Sequence, residues 1–211
     1  MDGNTGTRHD GIRSRNDGAG PLPQPDHVTR LEDADEAALD DDLKGYFAKC
    51  HEKLGMVPNV LRAYALRPEK LRLFSRMYNE LMLGESGLSK LEREMIAVAV
   101  SAANRCYYCL VAHGQAVRAL SDDPELGEMI AFNYRVAALP ARERAMLDFA
   151  WKLTVTPQDI AEADRDGLRG EGFSDEDIFD ICDVAGFFNY TNRVAHGTDM
   201  MPNPEYHTMN R

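Results

Sequence analysis

The sequence lacks the features that mark several other classes of protein. No stretch of its 211 residues approaches the run of about 18 apolar side chains that a transmembrane helix requires. It also has no excess of positive charge, since 24 Lys and Arg stand against 35 Asp and Glu. The net charge of −11 argues against a nucleic acid partner, and the missing apolar core of a signal peptide predicts a cytoplasmic protein with no membrane partner.

Strand signals and disulfide-forming cysteines are scarce as well. No segment alternates convincingly between apolar and polar side chains, so the sequence predicts an all-α fold. Four cysteines in a chain of this length do not make a disulfide framework, and a reducing compartment would keep them as thiols. With 44% hydrophobic residues, the chain can build one compact domain with a sizeable core.

Prolines, glycines and capping residues mark the predicted helices. Residues 1–26 are rich in Gly and Pro and predict a mobile tail, which leaves 27–211 as one helical domain. Thr156 is predicted to cap the helix that follows it. The predicted helices span about 39–54, 58–64, 68–83, 89–103, 124–137, 140–153 and 157–170, with one starting at 106 and one at 174, and Pro202 and Pro204 end the ordered chain.

Two cysteines and a histidine at helical intervals form the most informative stretch. If Cys106 opens a helix, Cys109 follows at i+3 and His113 four residues later, so all three lie on one face. A thiol in this motif at a helix N-terminus has a lowered pKa, and the thiolate is the form that attacks oxidants. A sulfenic acid on one sulfur can condense with the other as a disulfide, which an external thiol then reduces. The stretch therefore predicts a redox site.

A carboxylate is expected beside this site. A capping box at residues 89–92 starts the preceding apolar helix, which bears Glu94. Residues 104–105 interrupt that helix, so the chain can fold back and bring Glu94 against His113. The carboxylate would orient the imidazole, as the third member of a nucleophile, base and orienter set. The predicted catalytic residues are thus Glu94, Cys106, Cys109 and His113.

Zinc binding and ordinary packing are the alternatives for these side chains. A structural zinc site takes four protein ligands, whereas Cys106, Cys109 and His113 supply three. The other cysteines, Cys50 and Cys182, are solitary and distant in sequence. A histidine taken alone is by default a packing residue, but the spacing of His113 from two cysteines favours catalysis without a bound metal.

The full pattern, Glu94 followed by Cys106, Cys109, His113 and Gly114, resembles the signature of the alkylhydroperoxidase D family. That family lies within the larger group that includes carboxymuconolactone decarboxylases, and the likeness covers about residues 35–205, nearest to a peroxidase-related branch. The resemblance implies that Cys109 attacks a hydroperoxide, with His113 as base and Glu94 orienting it, and that Cys106 resolves the sulfenic acid. It implies no haem, flavin or metal, and a dithiol or thioredoxin-like reductant.

The two sulfurs are also distinguished by position. Cys109 stands one turn from His113, which could take its proton directly, whereas Cys106 lies beside Arg105 at the helix start, where a reductant could reach it. One residue departs from the family pattern. Founding members carry a histidine immediately before the second cysteine, where this chain has Tyr108, so their full proton relay cannot be transferred to it.

A second copy of the stretch follows at a constant offset of 83 residues. Residues 189–197 match 106–114, with Asn189 and Asn192 replacing the cysteines and His196 opposite His113. The match predicts two related helical halves, an active one at about 68–137 and a degenerate one at about 140–201, the second a helical hairpin without thiols. Asn189 and Asn192 are expected to pack or to line a substrate site, and His196 to be structural.

Two rival functions and one assembly state follow from the same residues. A cofactor-free decarboxylase of the same superfamily as a rule lacks paired cysteines, which argues against that reading. A redox-sensitive binding or chaperone-like protein, switched by the disulfide, remains an alternative to a thiol peroxidase. An apolar stripe from Leu71 to Met82 predicts a core or subunit contact, and with the resemblance it predicts a homo-oligomer.

Overall fold

One helix is enclosed by most of the others. In the computed structural model, which describes residues 24–211, this helix is α4, Lys90–Ala103, and every residue from Glu92 to Ser101 on it is buried. Helices α3, α5, α6, α7 and α9 pack around it. All regular structure in the described residues is helical, which confirms the all-α prediction. The helices are α1 Asp41–Leu54, α2 Asn59–Ala65, α3 Pro68–Leu83, α4 Lys90–Ala103, α5 Tyr107–Ser121, α6 Pro124–Asn133, α7 Ala141–Val155, α8 Glu162–Gly170 and α9 Asp175–Thr198.

Local signals fix where the main helices begin and end. The predicted capping box is present, because the Ser89 hydroxyl accepts from the Glu92 N–H at 3.1 Å and the Glu92 carboxylate accepts from the Ser89 N–H at 2.7 Å. Ser174 and Asp177 make the same pair of bonds at the start of α9. Helix α1 ends at Gly55, whose φ of 73° suits a residue without a side chain.

The single helix predicted for 157–170 is wrong. Residues Pro157–Asp159 form a short 3-10 turn, and α8 begins only at Glu162. Thr156 makes no side-chain capping bond there. The Asp164 carboxylate instead accepts from the Ala161 N–H at 2.8 Å, so the helix is capped at Ala161, five residues after Thr156.

The sequence predicted that the ordered chain ends at Pro202 and Pro204, and this prediction is wrong. A 3-10 turn, Pro204–His207, follows, and the buried guanidinium of Arg118 on α5 donates to the carbonyls of Tyr206 and Met209 at 3.0 and 3.1 Å. The predicted N-terminal tail lies outside the described residues except for 24–26. Of these, Gln24 donates to the Pro202 carbonyl at 2.8 Å.

The second copy of the central stretch does not fold as a hairpin. Its residues belong to α9, which runs unbroken for 24 residues, whereas the first copy is interrupted between α4 and α5. The division into an active and a degenerate half stays a prediction. In the stripe on α3, Leu71, Phe74 and Met82 are buried in the chain's own core, so these side chains pack within the subunit.

Candidate active site

A three-residue turn between α4 and α5 builds the site. Asn104 ends α4, Arg105 takes a left-handed φ of 54°, and Cys106 is the residue before the first turn of α5. The Cys106 N–H donates to the Ser101 carbonyl at 2.9 Å, which fixes the turn. The predicted break at 104–105 is confirmed, and the chain folds back so that α5 packs against α4.

This turn brings Glu94 and His113 into contact. The His113 Nδ1 atom lies 2.7 Å from the Glu94 Oε2 atom, and both side chains are about nine-tenths buried. The imidazole also packs edge-on against Phe188, with ring centroids 4.6 Å apart. Two contacts therefore fix the ring, and its Nε2 atom is left for proton transfer.

Cys106 and Cys109 are free cysteines in the structure and almost fully buried, at 1% and 3% exposed. A hydrogen bond from the Cys109 thiol lowers the pKa of Cys106 to about 7, helped by the Cys109 backbone N–H and by the charges of His196 and His113, against the effect of burial. The same hydrogen bond, together with burial, raises the pKa of Cys109 well above its usual range. Cys106 is thus the more acidic of the two thiols. The sequence predicted that the Cys109 thiol would give its proton directly to His113, but its hydrogen-bonding partner in the structure is Cys106.

A buried polar network from α9 reaches Cys109. The Asn104 amide donates to the Asn192 carbonyl oxygen at 2.9 Å, and the Asn192 amide donates to the Ser101 hydroxyl at 3.0 Å. Asn192 and Ser101 are fully buried, and their hydrogen bonds to the Cys109 sulfur lower its pKa, in opposition to the larger effect of Cys106. These donors can support negative charge that develops on Cys109.

Tyr108, which replaces the family histidine, has a structural contact of its own. Its hydroxyl accepts from the Val60 N–H at 3.0 Å near the start of α2. Burial raises the pKa of Tyr108 well above its usual range, so the phenol stays protonated. The side chain ties α5 to α2 and cannot supply the proton transfer of a neutral imidazole.

The two sulfurs lie on different cavities. Cys109 lines a cavity of about 520 Å³ together with Glu94 and His113, and most of its wall is aromatic or aliphatic. Cys106 lines a smaller cleft of about 90 Å³, beside Arg105 and the exposed His196. A ligand in the large cavity would meet Cys109, and a molecule approaching the small cleft would meet Cys106.

The α4–α5 turn thus places Cys109, Glu94 and His113 on one cavity, with Cys106 beside Cys109 on the neighbouring cleft. His196, expected to be structural, contacts the Asn104 carbonyl at 3.0 Å, and its charge also helps to lower the pKa of Cys106. The sequence reasoning missed Ser101, although it is the only polar side chain between Ile96 and Ala103.

Among the described residues, no group of three or more His, Cys, Asp or Glu side chains is arranged to hold a metal ion. In residues 24–211 no helix has the length and apolar character to cross a membrane.

Fold and site together define an all-α protein with a buried dithiol beside a carboxylate–imidazole pair. Residues 68–150 match the model of the carboxymuconolactone decarboxylase family. A peroxidase-related protein from Silicibacter sp. TM1040 is 61% identical, with a TM-score of 0.87 and coverage of 90% of this chain and 100% of that one. A second, described as an alkylhydroperoxidase AhpD core and a peroxidase-related protein from Ralstonia eutropha JMP134, is 43% identical, with a TM-score of 0.85 and coverage of 88% and 97%. The search of curated proteins gives no match.

The chain belongs to the carboxymuconolactone decarboxylase family, among its alkylhydroperoxidase-like, peroxidase-related members. A more distant structure, the debrominase Bmp8 in complex with 2,3,4-tribromopyrrole, has a TM-score of 0.70 and covers 85% of this chain and 93% of that one. At 20% identity this similarity concerns the fold alone.

Proposed function

We propose that this protein is a cofactor-free thiol peroxidase that reduces hydroperoxides through a dithiol–disulfide cycle of Cys106 and Cys109. Its peroxidase-related relatives support an antioxidant role. The observation that carries the proposal is the placement of Cys109, hydrogen-bonded to a more acidic Cys106, on the same cavity as the Glu94–His113 pair.

In the first step, the Cys109 sulfur attacks the terminal oxygen of the hydroperoxide. The Cys109 proton passes along its hydrogen bond to the Cys106 thiolate, and the O–O bond breaks. His113, held by Glu94, protonates the departing alkoxide, which leaves as an alcohol. Ser101 and Asn192 stabilise the charge that passes through the Cys109 sulfur. The products are the alcohol and a sulfenic acid on Cys109.

In the second step, the neutral imidazole of His113 takes the proton from Cys106. The Cys106 thiolate then attacks the Cys109 sulfur, an S–S bond forms, and hydroxide leaves and takes the proton of His113 as water. The hydroperoxide has gained two electrons and the two thiols have lost them. A dithiol or a thioredoxin-like protein reduces the disulfide, and the small cleft at Cys106 is its point of approach.

Steady-state turnover tests this proposal. NADPH oxidation is followed with hydrogen peroxide, tert-butyl hydroperoxide and cumene hydroperoxide, each coupled to thioredoxin, glutaredoxin or lipoamide and its reductase. Turnover that disappears in Cys109→Ser supports the peroxidase. Disulfide formation without turnover under every coupling system, together with a change of mass on a sizing column, would replace it with the redox-sensitive binding protein.

A further inference from the structure

The large cavity differs from the rest of the surface in the sign of its charges. Its lining contains three charged side chains, namely Lys49 and Lys53 on α1 and Glu94 at the catalytic histidine. The whole chain carries a net charge of −11, so two lysines and one buried acid are the reverse of its overall balance. The acidic residues of α1, Asp41, Asp42 and Glu52, do not line the cavity.

Both lysines stand at the mouth. Of all the residues that line the cavity, four are exposed, and they are Lys49, Lys53, Leu54 and Leu83. Lys49 and Lys53 are four residues apart on α1, so their ammonium groups project from the same side of the helix. Within residues 24–211, neither lysine has a carboxylate within ion-pair distance. The mouth thus offers two cationic groups to a ligand.

The interior behind this mouth is apolar. Tyr64, Phe74, Tyr78, Phe187 and Phe188 form an aromatic wall that leads to Cys109. The cavity volume of about 520 Å³ lies within the range of small-molecule binding sites, roughly 300–1,000 Å³. The carboxylate of Glu94 at the inner end opposes a second negative charge there, so an anionic group is favoured only at the mouth.

We propose that the cavity binds an amphipathic carboxylate, with its carboxyl group at Lys49 and Lys53 and its apolar chain extended toward Cys109. Given the proposed peroxidase function, the substrate class is then a fatty-acid hydroperoxide whose peroxide group lies along the chain. Burial of the chain supplies most of the binding free energy, and the two lysines determine the direction in which the ligand enters.

Binding of an unreactive ligand tests the site without any chemistry. Calorimetric titration of the full-length reduced protein would compare decanoate, decanol and decyltrimethylammonium. Since exposed charge pairs contribute modestly, decanoate should bind about three- to tenfold more tightly than decanol, and the cation most weakly. The double variant Lys49→Gln/Lys53→Gln should abolish this preference. Lys44→Gln, which changes an exposed lysine of α1 outside the cavity, should leave it intact.

Two results would overturn the inference. One is equal affinity for decanoate and decanol in the unchanged protein, and the other is an equal loss of preference in Lys44→Gln. Turnover separates this inference from the proposed function. If hydrogen peroxide is reduced at the same rate by all variants but a fatty-acid hydroperoxide has no lower KM than its methyl ester, the ligand assignment fails and the peroxidase stands. If decanoate binds as expected and no hydroperoxide is turned over, the peroxidase fails.

Discussion

The Nδ1 atom of His113 and the Oε2 atom of Glu94 lie 2.7 Å apart, across the turn that joins α4 to α5. Ten buried residues in succession hold α4 rigidly, so the carboxylate has little freedom to leave the imidazole. The contact fixes which nitrogen of His113 faces the carboxylate and which faces the cavity. This is the arrangement in which a carboxylate orients a histidine for proton transfer.

Glu94→Gln tests the importance of that orientation. The amide keeps the shape of the side chain but removes its negative charge, so we expect hydroperoxide reduction to slow by about ten- to a thousand-fold with the fold intact. The measurement is kcat/KM as a function of pH, with circular dichroism to verify folding. Glu85→Gln, at an exposed position before α4, is the control. Unchanged rates and an unchanged pH profile in Glu94→Gln would leave His113 without help from the carboxylate.

Cys106 should become reactive near neutral pH. Because its pKa is lowered to about 7, its alkylation by iodoacetamide should rise through that pH and be lost as the pH falls below it. Cys50 is an internal control, since burial raises its pKa and its reaction should need more alkaline solution. In Cys109→Ala the hydrogen bond to Cys106 is gone, so the midpoint for Cys106 should move upward. Peptide mapping of the alkylated sites would refute this if the midpoint stayed in place.

The roles of the two sulfurs can be read from sulfenic acid trapping. With dimedone present, Cys106→Ser should react once with hydroperoxide, more slowly than the unchanged protein, and stop at a labelled Cys109. Cys109→Ser should lose the fast reaction, because Cys109 is the sulfur on the large cavity. Labelled Cys106 in Cys109→Ser, combined with an inert Cys106→Ser, would reverse the assignment.

Arg118 should hold the C-terminal segment in place. Its guanidinium donates to the carbonyls of Tyr206 and Met209, so Arg118→Met should leave buried acceptors unpaired and lower the free energy of unfolding by roughly 1–3 kcal/mol. Hydrogen exchange should accelerate at residues 206–211. Arg76→Met, at an exposed position of α3, provides the comparison. Equal exchange in both variants would show that the segment is held by other contacts.

We also expect a homo-oligomer, with exposed apolar side chains at the contact between subunits. Leu71, Phe74 and Met82 of the α3 stripe are buried within the subunit, and Met77 of the stripe is exposed. Elsewhere on the surface, Phe132, Phe179 and Leu73 are 87%, 67% and 66% exposed. Covering these large apolar side chains with a second subunit removes them from water and stabilises the oligomer. Light scattering at micromolar concentration should give a mass well above 23.6 kDa. A monomer at that concentration would contradict the expectation, and Phe132→Ser would test the most exposed of the three.

Local signals explain how far the sequence was informative. The capping box at Ser89 and the interruption at Asn104 are encoded by neighbouring residues, and together they were sufficient to place Glu94 against His113. The cavity could not be predicted from the sequence, because residues of α1, α2, α3, α5 and α9 all line it. How these helices pack together depends on contacts between segments that are distant in sequence. The same limit applies to Asn192. Its sequence offset placed it opposite Cys109 in a repeat, but its contact with Ser101 depends on how an unbroken α9 crosses α4.

The prediction of one helix at 157–170 was wrong for a local reason. Proline at a first turn and a preceding threonine are typical of a helix start, but Asp164 competes by capping the Ala161 N–H. The C-terminal prolines were misleading in a different way. Helix α9 already ends at Thr198, before these prolines, and the residues beyond them are ordered by long-range bonds to Arg118 and by the position of Tyr206 on the cavity wall.

The dithiol chemistry of Cys106 and Cys109 can be observed in a single turnover. The fully reduced protein is mixed with one equivalent of hydroperoxide, without any reductant, and the products are followed by stopped flow and intact mass spectrometry. We predict that one hydroperoxide is converted to its alcohol for each chain and that the protein loses the mass of two hydrogen atoms, with the new disulfide mapped to Cys106 and Cys109. An unconsumed hydroperoxide, or oxidation confined to Cys50 or Cys182, would contradict it.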